Sequence, residues 1–149
     1  MYFWNIKKLK ADLKDKPLTE KQILPYVIAT LVLYYLSAVI APVSSDRNGI
    51  LETSLIVLSI VIGTYWLFKK NHADAGQYFI QRFFAIGWVA SIRFGIFSLV
   101  ISVLLYASSI LKVDTASTSN AELIIESILI ILGYWYIGTH ITEVANEAK

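Results

Sequence analysis

From Gln22 to Ser45 the chain carries no charged side chain. A helix needs roughly 20 mostly apolar residues to cross the ~30 Å hydrocarbon core of a bilayer, where every backbone polar group must find an internal partner. Ile23 to Ala41 reads as a first span on this ground. Three more segments follow: Ile50 to Phe68 with Glu52 in its first turn, Phe83 to Leu111 interrupted by Arg93, and Leu123 to Ile141, which holds Glu126 and ends near His140. Composition points the same way. Of the 149 residues 56% are hydrophobic and 16% charged, and the mean hydropathy is +0.60, against about 45–50% apolar and about 25% charged in a soluble domain. The expected fold is all-α: a single membrane domain over residues 1–149, built as a four-transmembrane-helix bundle with an amphipathic interfacial helix over residues 1–16.

Short loops rich in Lys and Arg stay in the cytoplasm. Ten of the 13 basic residues (Lys7, Lys8, Lys10, Lys14, Lys16, Lys21, Lys69, Lys70, Arg82 and Lys149) precede the first span, follow the second or lie in the tail, whereas Arg47 and Lys112 fall on the other side. Both termini are therefore expected in the cytoplasm, in a bacterial inner membrane. A cleavable signal peptide is not expected, because the basic region is too long, the apolar run is of full span length and Pro42 would follow the cut. Net charge is +2, with no basic excess to suggest nucleic acid, and the absence of cysteine excludes disulfide and thiolate chemistry.

Residues 2 to 14 place Tyr2, Ile6, Leu9 and Leu13 on one helical face and lysines around the rest, a pattern suited to lying flat in the membrane interface with Phe3 and Trp4 as aromatic anchors. Pro17 ends that helix. Thr19 to Gln22 has capping-box form, and Pro25 is tolerated in the first turn after it. The aromatic stretch Gln77 to Ile92 is too apolar for water. It is expected to lie along the interface or to continue the third span at a tilt, starting at Asp74 and bending at Gly87 or Gly95.

Small residues recur at helical spacing in the third span, at Gly87, Ser91, Gly95, Ser98, Ser102 and Ser109, with Ser59 and Gly63 in the second and Gly133 in the fourth. Close backbone approach at such residues favours helix packing in lipid, so this stripe is expected to face other helices. Gly95→Leu would then disrupt the bundle and Val100→Leu would not.

Four polar residues in the spans are candidates for function: Glu52, Arg93, Glu126 and His140. Eighteen residues separate Arg93 from Lys112, about 27 Å of helix, which puts Arg93 at the cytoplasmic border, where it can snorkel. On that reading Lys would replace it; an ion pair with Glu143 or His140, or an anion site, would need Arg. Glu126 and His140 stand about 21 Å apart along one helix and cannot share a metal ion. No catalytic motif, cofactor loop or metal-binding spacing occurs. The expectation is a non-enzymatic protein without cofactor that works by contact, as an accessory subunit, assembly factor or immunity-type protein, with the lipid bilayer and a membrane protein or a second copy as partners. A small dimeric transporter or channel is the alternative.

Overall fold

The computed structural model describes residues 1–15, 18–40, 47–73, 76–110 and 115–147. Among these the fold is all-helical, with five helices and no strand: α1 (Ile6–Asp15), α2 (Glu20–Ile40), α3 (Arg47–Lys70), α4 (Phe79–Ile110) and α5 (Thr115–Glu147). Three of them contain stretches long and apolar enough to cross a membrane, at Thr53–Lys70, Phe79–Ile101 and Ser127–Glu147. Lys16, Pro17, Pro42, Asp74, Lys112 and Lys149, which enter the reading of turns and charges above, lie outside the described residues.

Local signals explain the helix starts. Asn5 caps α1, its side-chain oxygen accepting from the Lys8 backbone N–H at 3.1 Å. Tyr2 is consequently outside the helix, and residues 1–5 form a separate strap. At α2 the Gln22 side chain accepts from the Thr19 N–H at 2.9 Å, the reciprocal half of a capping box. At α4 the aromatic stretch continues the third span, the second of the two expectations, as one helix of 32 residues from Phe79 that is unbroken at Gly87 and Gly95.

Contacts run in a row, α3 against α5, α5 against α4 and α4 against α2, with α1 across α4 and α5. The core gathers at the end where both termini lie: Leu9, Leu67, Ala85, Ile86, Val89, Ile141 and Val144 are fully buried there. Towards the far end the side chains turn outward, with Leu31 to Leu36, Val61, Ile62, Phe97, Leu99 and Ile131 all exposed. The architecture is thus a packed base from which apolar helices rise.

Two ion pairs fix the orientation of α1 against α5. Lys10 pairs with Glu143, and Lys14 pairs with Glu147. The sequence offset is the same, 133 residues, in both pairs, so α1 runs parallel to α5. Its apolar face is spent on protein: Leu9 is fully buried, with Ile6 and Leu13 nearly so. That answers the question posed by Gln77 to Ile92. The segment avoids water because α1 covers it, and Ala85, Ile86, Trp88, Val89 and Ala90 are buried.

The expected glycine stripe is corrected. A Cβ placed on Gly87, Gly95 or Gly133 would meet nothing within 4 Å. Gly95 faces outward, so Gly95→Leu has nothing to push apart. The close approach lies between parallel α3 and α5, at Gly63, which the sequence reading named, and at Gly138, which it did not. At Gly63 an added Cβ would stand 2.5 Å from the Tyr134 ring, and at Gly138 it would strike the Trp66 ring. Each helix thus offers a glycine to the other's aromatic ring, one turn apart. Size matching between a flat site and a large ring, rather than contact between two flat sites, sets this packing.

Candidate functional site

Arg93 sits at the top of the packed base, where α4, α5 and the N-terminal strap meet. One guanidinium nitrogen donates to the Tyr136 hydroxyl and the other to the Trp4 carbonyl at 2.6 Å. The guanidinium carbon also stands over the Trp4 ring, 5.1 Å from its centroid. The strap is fixed at two further points: the Tyr2 N–H donates to the Tyr26 hydroxyl at 2.7 Å, and Phe3 meets Trp88 edge-on at 6.1 Å. The Tyr2 hydroxyl in turn donates to Asp12 at 2.8 Å, a bond that raises the phenol above its ordinary pKa.

From Arg93 a line of polar groups descends α5. Tyr136, His140, Glu143 and Glu147 recur at intervals of four, three and four residues, which puts them on one face. The His140 ring meets Tyr136 edge-on at 4.5 Å, and its Nδ1 lies 3.2 Å from the Glu143 carboxylate. Glu143 and Glu147 are then matched by Lys10 and Lys14 of α1. Arg93 therefore neither pairs with Glu143 nor hangs free towards headgroups. It ties the first residues of the chain to the last helix, and its two separate acceptors require a forked donor.

A second polar knot closes the turn between α3 and α4. Asn71 is fully buried and Arg82 nearly so, with the Arg82 guanidinium donating to Asn71 Oδ1 at 2.7 Å and Asn71 Nδ2 donating to the Gln77 carbonyl at 3.2 Å. Any Cβ at Gly76 would collide with the Asn71 carbonyl. His72, Ala73 and Tyr78 adopt left-handed φ of 66°, 48° and 57°, conformations that cost energy outside glycine and mark a tightly determined turn. His72 Nε2 lies 3.0 Å from Asn146 Oδ1, joining the turn to the end of α5.

Of the four candidate polar residues, the structure brings Arg93 and His140 into one cluster. Glu52 and Glu126 lie in α3 and α5, with side chains outside the described ones, as is Ser102 in α4. Gly87, Ser91 and Gly133 line a cavity of about 250 Å³ shared by α2, α4 and α5, Ser98 is half-buried on α4, and Gly63 receives Tyr134. Sequence reasoning missed Asn71, Gly76, Arg82 and Gly138. Arg82 did leave a signal, since a basic residue amid Phe79, Ile80, Phe83 and Phe84 must be either exposed or clasped. Among the described residues no group of three His, Asp or Glu side chains is placed to hold a metal ion.

Comparison of this chain with protein-family models, with curated proteins and with solved structures finds no match.

Proposed function

We propose that this chain is a four-span protein of the bacterial cytoplasmic membrane, both termini cytoplasmic, that acts without catalysis by contact with another membrane protein. The single observation carrying the contact reading is Tyr35. It is 69% exposed on α2, an edge of the helix row, and stands 12 residues beyond Ile23, about 18 Å into the proposed span. Tyrosines in membrane proteins gather at the two interfaces, where the hydroxyl reaches water. One turned outward near mid-depth has its hydroxyl in hydrocarbon unless a partner covers it. The alternation of basic and acidic loops supports the orientation, and the packed base, rich in Lys, Glu and Asn, suits the cytoplasmic side.

A photo-crosslinking residue at Tyr35 tests the reading in living cells. Contact predicts a discrete protein adduct at Tyr35 that is missing from the same probe at Leu104, exposed on the neighbouring helix. Adducts with lipid alone at both positions would refute it, and an adduct between two copies of the chain would favour the dimeric carrier instead.

A further inference from the structure

Arg82 and Arg93 are both set among apolar residues and both donate to neutral oxygens, but they differ in access. Arg82 is 3% exposed and shut inside the turn between α3 and α4. Arg93 is only half-buried, and what lies over it is the N-terminal strap, whose Phe3 and Trp4 are themselves exposed. The strap belongs to no helix.

Charge around Arg93 is unbalanced. Glu143 and Glu147, the carboxylates of its cluster, are each paired with a lysine of α1, and Glu143 also meets His140; the ion pairs among the described residues leave Arg93 out. Its acceptors are a phenol and a backbone carbonyl. A guanidinium is always charged and its fork of donors matches phosphate oxygens, so neutral acceptors leave it without a counter-ion. One of the two acceptors is replaceable. The Trp4 carbonyl also accepts from the Ile6 N–H at 3.0 Å, and it stays satisfied when the guanidinium lets go. The Tyr136 hydroxyl, held on α5, accepts from Arg93 and keeps its own hydrogen to donate.

We propose that Arg93 and Tyr136 form a binding site for a phosphate group and that the strap is its lid, the Trp4 carbonyl holding the guanidinium nitrogen that the phosphate would take. Strap and phosphate compete for one donor, so each weakens the other. A lipid headgroup and a soluble phosphate ester offer the same chemistry. The site depends on neither the protein partner nor the membrane orientation proposed above.

The test uses the purified full chain in an uncharged detergent, titrated with dihexanoyl phosphatidylglycerol and, separately, with inorganic phosphate. Dihexanoylglycerol and sodium chloride of matched ionic strength are the controls. Amide exchange of residues 2–5 reads the lid, and it should rise saturably with phosphate and not with the controls. A rise with phosphatidylglycerol alone assigns the site to a headgroup; a rise with both assigns it to a soluble ester. Tyr26→Phe removes the acceptor of the Tyr2 N–H while keeping Arg93. Loosening the lid by one hydrogen bond should tighten phosphate binding about twofold to tenfold. Arg93→Gln should abolish the response with helical content retained. Exchange unmoved by either phosphate, or moved equally by the controls, would overturn the proposal. So would unchanged affinity in Tyr26→Phe or a full response in Arg93→Gln. The Tyr35 crosslink is read on a different helix, and either result stands without the other.

Discussion

Single residues decide the packing of this molecule where a large ring must lie on a bare backbone. Gly63 beneath Tyr134 and Gly138 beneath Trp66 are such places. Gly63→Leu or Gly138→Leu should lower the thermal unfolding temperature in detergent, overpacking of this kind costing about 1–3 kcal/mol, while Gly95→Leu should leave it within error. A Gly95 variant as damaged as the other two would mean that α4 uses its outward face for packing. Arg93 belongs to the same scale. Its two acceptors lie on different elements, so a lysine, with one compact ammonium, keeps the charge and loses one of them. Arg93→Lys should therefore fall between parent and Arg93→Ala in stability, by about 1.5–3 kcal/mol for the lost charge-assisted bond. Full recovery by lysine would restore the snorkelling reading.

At the level of elements, the decisive one is α1, and its two kinds of contact are unequal. The lysine–glutamate pairs with α5 are partly exposed and of a class worth about 0–1 kcal/mol each, whereas truncating a buried leucine costs about 2–5 kcal/mol. Leu9→Ala should accordingly release α1 to amide exchange or proteolysis, and Lys10→Ala should barely do so; the reverse order would make the ion pairs the true fastening. The three helices long and apolar enough to cross a membrane were legible because the scarcity of charge over a span length is a local property. So was the amphipathic pattern of α1, since its period is written in ten residues. What that face would cover was not legible, because α5 lies more than a hundred residues away and bilayer and protein ask for the same apolar stripe. The glycine stripe misled for a related reason. Small residues mark where a helix can approach another, but the ring that fills the place stands on a different helix, and at Gly87 and Gly133 the space was left as a cavity. Within the polar cluster, Arg93 and His140 stood out by charge in an apolar run, whereas Asn71 acquires its role only when the turn closes around it.

For the whole molecule, the proposed orientation puts the packed base on the cytoplasmic side. Topology reporters should read outward at Asn48 and Ser117 and cytoplasmic at His72 and after Lys149, and a cytoplasmic signal at Asn48 would invert the proposed orientation. Replacing the lysines of the first 21 residues should weaken this bias without abolishing it, because Lys69, Lys70 and Arg82 remain.

The pairing of Lys10 with Glu143 spans 133 residues, and this has a consequence for synthesis. The site that receives α1 is contributed in part by α5, which leaves the ribosome after the other four described helices. At about 5–20 residues per second, the first helix must wait on the order of ten seconds or more with its Leu9 face uncovered. Throughout that interval it is an amphipathic segment of the kind membranes adsorb, so a surface-bound first helix is expected of the nascent chain. Emergence of α5 then competes directly with lipid for α1, and truncations that stop short of Glu143 should accumulate with their first helix still on the membrane surface.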